Sequence, residues 1–186
     1  MASTFCEAMQ LLDKENFMRV YHDDVYGYPV TDDNELFERL ILEINQAGLS
    51  WSTILKKQQN FRKAFHLFNI KKVAAYKEAD RERLLNDPGI IRNRLKVDAA
   101  IYNAKVILQL QKEFGSFKNW LDENHPKTKD EWMQLFKKTF KFTGGEIVNE
   151  FLVSTGYLRG AHDEDCPIYK QTLKSKPAWT KRQITQ

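Results

Sequence analysis

Two groups of residues in this 186-residue chain have types and spacing suited to chemistry. The first is Glu43-Ile44-Asn45-Gln46-Ala47-Gly48-Leu49-Ser50-Trp51. Placed on a helix at about 100° per residue, Glu43 falls at the edge of an apolar face made by Leu36, Phe37, Leu40, Ile41 and Ile44. Glu35 and Glu38 fall elsewhere and read as solvated, so Glu43 is the one carboxylate of this helix set against apolar surface. Partial burial gives a carboxylate an unusual proton affinity and a directed hydrogen bond. Periodicity alone favours the plainer reading of a border residue reaching to water. Gly48 then breaks the helix, and Leu49-Ser50-Trp51 restarts it. Glycine allows close approach of another backbone or a ligand. A carboxylate, a tight glycine turn and a Trp within nine residues can form one wall of a pocket for a flat cationic group.

The second group is made of metal-binding types. His162 and Cys166 are four apart, and Cys6 and His22 supply two more donors near the other end. Cys₂His₂ is a sound tetrahedral zinc set, and four protein ligands leave no open position for catalysis, so its role is structural. The alternative is two unrelated free thiols; a disulfide is disfavoured in a cytoplasmic protein. A further segment, Phe140-Lys141-Phe142-Thr143-Gly144-Gly145, precedes an apolar helix. A glycine turn there exposes N–H groups at a helix N-terminus, an anion site suited to a DNA phosphate, with Lys141 adding charge.

The elements that must position these groups read as helices. Asp32 and Glu35 have capping-box spacing at the head of a helix over 31–45, and Thr128 and Glu131 repeat it before Trp132, Leu135 and Phe136. One helix is expected over 7–21, followed by a loop from Tyr21 to Pro29. Another restarts at Trp51, and Asn69 caps a short one. A long helix over 90–112 has Ile91, Leu95, Ala99, Tyr102, Val106 and Leu110 near one stripe, and a last one runs from Glu146 to Ser154. No alternating strand, repeat or low-complexity linker is evident. The expected fold is an all-α single-domain helical bundle over residues 1–169, with a basic, extended and mobile tail over 170–186. The 42% hydrophobic and 29% charged content is that of a soluble protein. No apolar run approaches the roughly 20 residues of a membrane helix, and Met1 to Gln10 has no signal pattern, so the cytoplasm is the expected compartment. Net charge is +4, of which the tail from Lys170 holds five positive residues and no acid. Any DNA-binding face must therefore come from local clusters: Lys56, Lys57, Arg62 and Lys63; Arg92, Arg94 and Lys96; Lys137, Lys138 and Lys141. Each cluster taken alone is also an ordinary solvated helix face.

The run Leu36-Phe37-Glu38 through Leu42-Glu43, then Gln46-Ala47-Gly48-Leu49-Ser50-Trp51 and Ile54-Leu55-Lys56-Lys57, resembles the bacterial DNA-3-methyladenine glycosylase I family. So do Tyr21-His22-Asp23 and Gly89-Ile90-Ile91-Arg92-Asn93-Arg94-Leu95-Lys96, and the likeness extends from about Tyr21 to Cys166. The resemblance implies a helix-hairpin-helix element at 140–145 and a monofunctional DNA repair glycosylase without lyase activity. It implies that 3-methyladenine is flipped from double-stranded alkylated DNA and cut free by hydrolysis. Glu43 is then the catalytic carboxylate, and Tyr21, Trp51 and Gln46 grip the base. Gly48 and Leu49 press into the duplex, and Lys141, Thr143, Gly144 and Gly145 meet DNA. Cys6, His22, His162 and Cys166 hold structural Zn²⁺, and the protein acts as a monomer. Three departures stand out: no Trp follows Cys6, Tyr26-Gly27 replaces a Trp-Gly, and the stretch between Trp120 and the hairpin is shorter. The rival reading is a non-catalytic helix-hairpin-helix module that binds DNA lesions, and a second is a zinc-stapled scaffold for protein partners.

Overall fold

The computed structural model describes residues 4–181, and every regular element among them is helical. In chain order these are α1 (Phe5–Gln10), α2 (Phe17–Asp24), α3 (Asp33–Gln46), α4 (Trp51–Ala64), α5 (Ile70–Ala74), α6 (Glu78–Leu85), α7 (Arg94–Phe114), α8 (Phe117–Asn124), α9 (Lys129–Thr139), α10 (Gly145–Ser154) and α11 (Tyr169–Lys174), with a 3₁₀ turn at Ala178–Thr180. The expected all-α class holds. The chain divides into two compact units, one of residues up to Val30 with those from Asn149 onward, the other Thr31–Val148.

In the first unit the expected single helix over 7–21 is two. The polar run Asp13-Lys14-Glu15-Asn16 supplies no apolar face, and Asn16 instead caps α2 by accepting from the Met18 N–H at 2.9 Å. Arg19 fills the gap between the helices by donating to the Leu12 and Gln10 carbonyls at 2.7 and 3.3 Å. The turn of helix containing Tyr21 and His22 thus belongs to α2 and not to a loop. Beyond Cys166 the chain forms α11 and buries Thr172, where the weak pattern suggested an extended tail. Arg182, the last of the basic residues in that tail, lies outside the described residues.

The second unit has its core on α3. Leu36, Phe37, Leu40, Ile41 and Ile44 are fully buried. Around them sit Phe61, Phe65 and Phe68, the last two stacked with centroids 5.4 Å apart, and a second aromatic group of Phe117, Trp120, Phe136 and Phe140. The Asp32 half of the expected capping box forms at 2.9 Å to the Glu35 N–H, but Glu35 turns to Arg39. The Thr128–Glu131 box is complete. The long helix starts only at Arg94, capped by Asn93. Its buried residues are Lys96, Val97, Ala99, Ala100, Ile101, Asn103, Ala104, Ile107 and Leu110, while Leu95 is 68% exposed and Tyr102 is also exposed. Of the expected stripe Ala99 and Leu110 are buried but Leu95 and Tyr102 are not, so the buried face is centred part of a turn away, on Val97, Ile101, Ala104 and Ile107.

Asp33 joins three helices of this unit. Its carboxylate accepts from the Phe117 and Lys118 N–H groups at 2.8 and 3.0 Å, capping α8, and from Gln111 Nε2 at 2.6 Å on α7. Asp33→Ala leaves these donors without their acceptor, at a cost of about 2 kcal/mol. Urea unfolding is expected to show a lower midpoint with an unchanged slope; an unaltered midpoint would mean the cap is dispensable.

Candidate functional site

α3 ends in the sharp turn that the sequence pointed to. Ala47 (φ −48°, ψ 116°) and Gly48 (φ 81°) have the dihedrals of a type II turn, closed by Leu49 N–H to the Gln46 carbonyl at 2.6 Å. A Cβ on Gly48 would meet nothing, so glycine is there for its positive φ and not for space. Ser50 caps α4 by accepting from Thr53 N–H. Gly48, Leu49 and Ser50 are all exposed, with Leu49 at 41%. A leucine is thus held out at the tip of a rigid turn, six residues after a carboxylate, Glu43, that is only 4% exposed. Gln46 and Trp51, at the two ends of the turn, are half-buried.

Glu43 is not alone in being buried on α3. Glu38 is 6% exposed and accepts from Arg62 Nε at 2.8 Å and Gln58 Nε2 at 2.7 Å. Reading it as solvated was wrong, because α4 brings two long polar side chains that repay its desolvation. The same contact removes Arg62 from the expected basic cluster. Lys57 is also committed, donating to the Pro88 and Gly89 carbonyls at 3.0 and 3.3 Å. Lys96 leaves its cluster altogether: it is 5% exposed, with Nζ 2.9 Å from the Asn45 carbonyl and 2.8 Å from that of Ala47. Burial pulls its proton affinity below the ordinary lysine value. Arg94 pairs with Glu78, while Lys63 and Arg92 remain exposed.

Between α9 and α10 lies the expected hairpin. Asn103 on α7 pins its backbone twice, accepting from Lys141 N–H at 2.8 Å and donating to the Lys141 carbonyl at 3.0 Å. Thr143 is buried, and its hydroxyl donates to the Phe136 carbonyl at 3.1 Å, closing the end of α9. Gly144 and Lys141 are exposed, and the Lys141 ammonium lies 4.3 Å from the centroid of the Tyr102 ring.

In the other unit, Tyr21 is buried with its ring 5.6 Å from Tyr26. The next residue, His22, begins a cluster that gathers both ends of the chain. Cys6, His22, His162 and Cys166 are all buried, and their donor atoms lie within 4.8 Å of one another. Cys6 Sγ is 3.3 Å from His22 Nε2 and 3.9 Å from His162 Nδ1; Cys166 Sγ is 3.8 and 3.9 Å from the same atoms, and the two nitrogens are 3.2 Å apart. Bond lengths of about 2.3 Å to sulfur and 2.0 Å to nitrogen at tetrahedral angles put donor atoms roughly 3.3 to 3.8 Å apart. The residues present therefore fit one four-coordinate metal ion. The outer atoms agree: His22 Nδ1 meets Asp23 Oδ1 at 2.6 Å, and His162 Nε2 meets the Tyr26 carbonyl at 2.9 Å. This leaves the other ring nitrogen of each to face the centre. The Asp163 N–H donates to Cys6 Sγ. Burial pushes the Cys6 thiol up to about 12 and the His162 imidazole down. A neutral histidine is a ready ligand, whereas the thiol needs a metal charge to become thiolate. Gly27 makes this packing possible, since a Cβ there would lie 2.5 Å from that of Ala161, next to His162.

The sequence profile of the methyladenine glycosylase family matches residues 11–134. The chain belongs to this family. DNA-3-methyladenine glycosylase 1 of Escherichia coli (strain K12) is 39% identical over 168 residues, 80% of this chain and 89% of the relative. The DNA-3-methyladenine glycosylase of Haemophilus influenzae is 36% identical over 166 residues, 79% of this chain and 89% of the relative. Two solved structures superpose closely. A crystal structure of 3-methyladenine DNA glycosylase I gives a TM-score of 0.74 at 36% identity, over 83% of this chain and 95% of that one. The Staphylococcus aureus enzyme, in a structure addressing 3-methyladenine recognition, gives 0.76 at 35%, over 84% and 93%. Within this family frame, sequence reasoning missed Lys96, Asn103 and Glu38 as buried polar residues. None of the three had a readable signal, because each is paired with a group 20 or more residues away.

The donor set predicts one equivalent of a divalent transition metal per chain, measured by mass spectrometry of the purified protein. Cys166→Ala is expected to lose it and to unfold at least about 10 °C lower. Retention of a full equivalent by that variant would exclude the four-residue site.

Proposed function

We propose that this protein is a DNA glycosylase that extrudes 3-methyladenine from alkylated duplex DNA and hydrolyses its N-glycosidic bond. The observation that carries the reading is the buried Glu43 carboxylate five residues before the exposed Gly48-Leu49 turn, in a chain of the methyladenine glycosylase family. The relatives bear that activity in their names, and the Staphylococcus aureus structure concerns recognition of that base.

The physical chemistry suits the residues. Methylation at N3 gives adenine a positive charge, and aromatic faces such as those of Trp51 and Tyr21 attract cations. Glu43 accepts a hydrogen bond from the edge of the base, and Gln46 adds a polar contact. An unmethylated adenine lacks the charge and loses most of that attraction. The lesion also leaves as a neutral base, so the bond breaks with less assistance than in a normal nucleotide. Positioning and exclusion of bulk water then supply much of the acceleration. Extrusion leaves a gap in the stack, and Leu49, with Gly48 keeping the turn narrow, is the wedge that fills it. The N-terminus of α10 offers the Gly144 and Gly145 N–H groups to a backbone phosphate, with Lys141 beside them and Thr143 bracing the turn from inside. Zinc is the metal best matched to a Cys₂His₂ tetrahedron; when bound, it holds the two chain segments together and takes no part in the reaction. Buried reduced thiols of this kind belong in a reducing cytoplasm.

Chromatography of bases released from methylated duplex DNA tests the reading. Wild type is expected to release 3-methyladenine and spare 7-methylguanine, and Glu43→Gln to slow release by roughly tenfold to a hundredfold with DNA binding retained. A wild-type protein that binds DNA and releases nothing would instead be a lesion-binding module.

A further inference from the structure

We propose that Lys96 and Asn103 are positioning residues that set the Leu49 wedge and the 140–144 hairpin in one register for the duplex. The proposal rests on the glycosylase reading above. Both residues lie on α7, seven positions apart, which is two turns and roughly 10 Å along the axis, on nearly the same azimuth. Both are buried, and each is spent on the backbone of one DNA-facing segment and not on a side chain. Lys96 Nζ donates to the Asn45 and Ala47 carbonyls, at 2.9 and 2.8 Å, on either side of Gln46 at the point where α3 gives way to the wedge turn. Asn103 holds the N–H and the carbonyl of Lys141, at 2.8 and 3.0 Å. The Phe142 ring, half-exposed on the hairpin, has its centroid 6.0 Å from Lys96 Nζ, at the edge of cation–π range, so the ammonium lies between the two segments it would register.

The last carbonyls of a helix lack intrahelical donors and carry the negative end of its dipole. A buried ammonium is costly, and a methionine would fill the same space without that cost. Its presence is explained by the carbonyls it satisfies. With both held, Ala47 and Gly48 keep the dihedrals that point Leu49 outward. Without them the end of α3 frays, and the wedge loses its fixed direction relative to the hairpin. The effect falls on extrusion from duplex DNA and not on recognition of the free base, because Glu43 sits more than half a turn inside the helix.

The test compares two readouts on Lys96→Met: single-turnover release of 3-methyladenine from methylated duplex, and binding of free 3-methyladenine followed by tryptophan fluorescence. Release is expected to fall at least tenfold while free-base affinity stays within twofold, with Lys96→Gln, which keeps one donor, intermediate. Asn103→Ala, chosen in case the lysine variant does not fold, is expected to show the same split. In a double-mutant comparison, Leu49→Ala should add little to Lys96→Met. Release at the wild-type rate by folded Lys96→Met, or equal losses in duplex release and free-base binding, would overturn the proposal. Absence of release from wild type itself would instead remove the glycosylase reading.

Discussion

The end of α3 is the constraint on which the larger unit depends. A helix that carries a buried carboxylate must stop abruptly, present an exposed leucine, and restart within five residues. Its terminal carbonyls cannot be left bare against the core. Three devices meet that demand together: the type II turn with Gly48 at positive φ, the Ser50 cap that starts α4, and the Lys96 ammonium driven in from α7. The remainder of the unit can be understood as support. Asn45 sends its own amide back to the Ile41 carbonyl at 2.8 Å, and Asp33 locks the opposite end of α3 to α7 and α8. The helix is thus fixed at both ends before any DNA is met.

The smaller unit solves a different problem. It is assembled from two segments more than a hundred residues apart, and its large buried side chains are few: Met9, Tyr21, Phe151, Leu152 and Tyr157 among the described residues. So small an apolar core stabilises little by itself. Four donors at tetrahedral spacing, drawn from α1, α2 and the 162–166 turn, are placed so that one ion would close that long loop. The arrangement also explains why His22 follows Tyr21 directly. The imidazole, held by Asp23 and turned toward the other three donors, fixes the last turn of α2 and with it the neighbouring tyrosine.

How much of this was legible in the sequence follows from the range of each interaction. Caps are local, so Asp32, Asn69 and Thr128 were read correctly from neighbouring residues, and the Gly48 break was equally plain. That Cys6, His22, His162 and Cys166 gather in one cluster was readable because their residue types are rare and their chemistry narrow. What failed was the fate of charged side chains. Lys57, Arg62, Glu38 and Lys96 look like ordinary surface charge in the sequence, yet each is tied to a group 20 or more residues away. No periodicity records such partners. The stripe on α7 failed in part for a related reason: Leu95 and Tyr102 are exposed while Lys96 and Asn103 are buried, each tied to the backbone of a distant segment.

The burial of Lys96, and the pairing of Lys57 and Arg62 with the protein's own groups, changes how DNA affinity is distributed in the proposed glycosylase. With a net charge of only +4, long-range attraction to phosphate is modest. In the proposed reading the duplex is positioned by few points, the α10 N-terminus, Lys141 and the Leu49 wedge, with exposed Lys63, Arg92, Lys137 and Lys138 left to add screened phosphate contacts. Few points demand accurate spacing, since a misplaced contact cannot be offset by general electrostatic adhesion. This is why burying Lys96 is a reasonable use of a cation. As a surface residue it would add one screened phosphate contact. Inside, its Nζ donates to the Asn45 and Ala47 carbonyls and ties α7 to the end of α3. In the proposed glycosylase that tie is what gives the Leu49 wedge its direction.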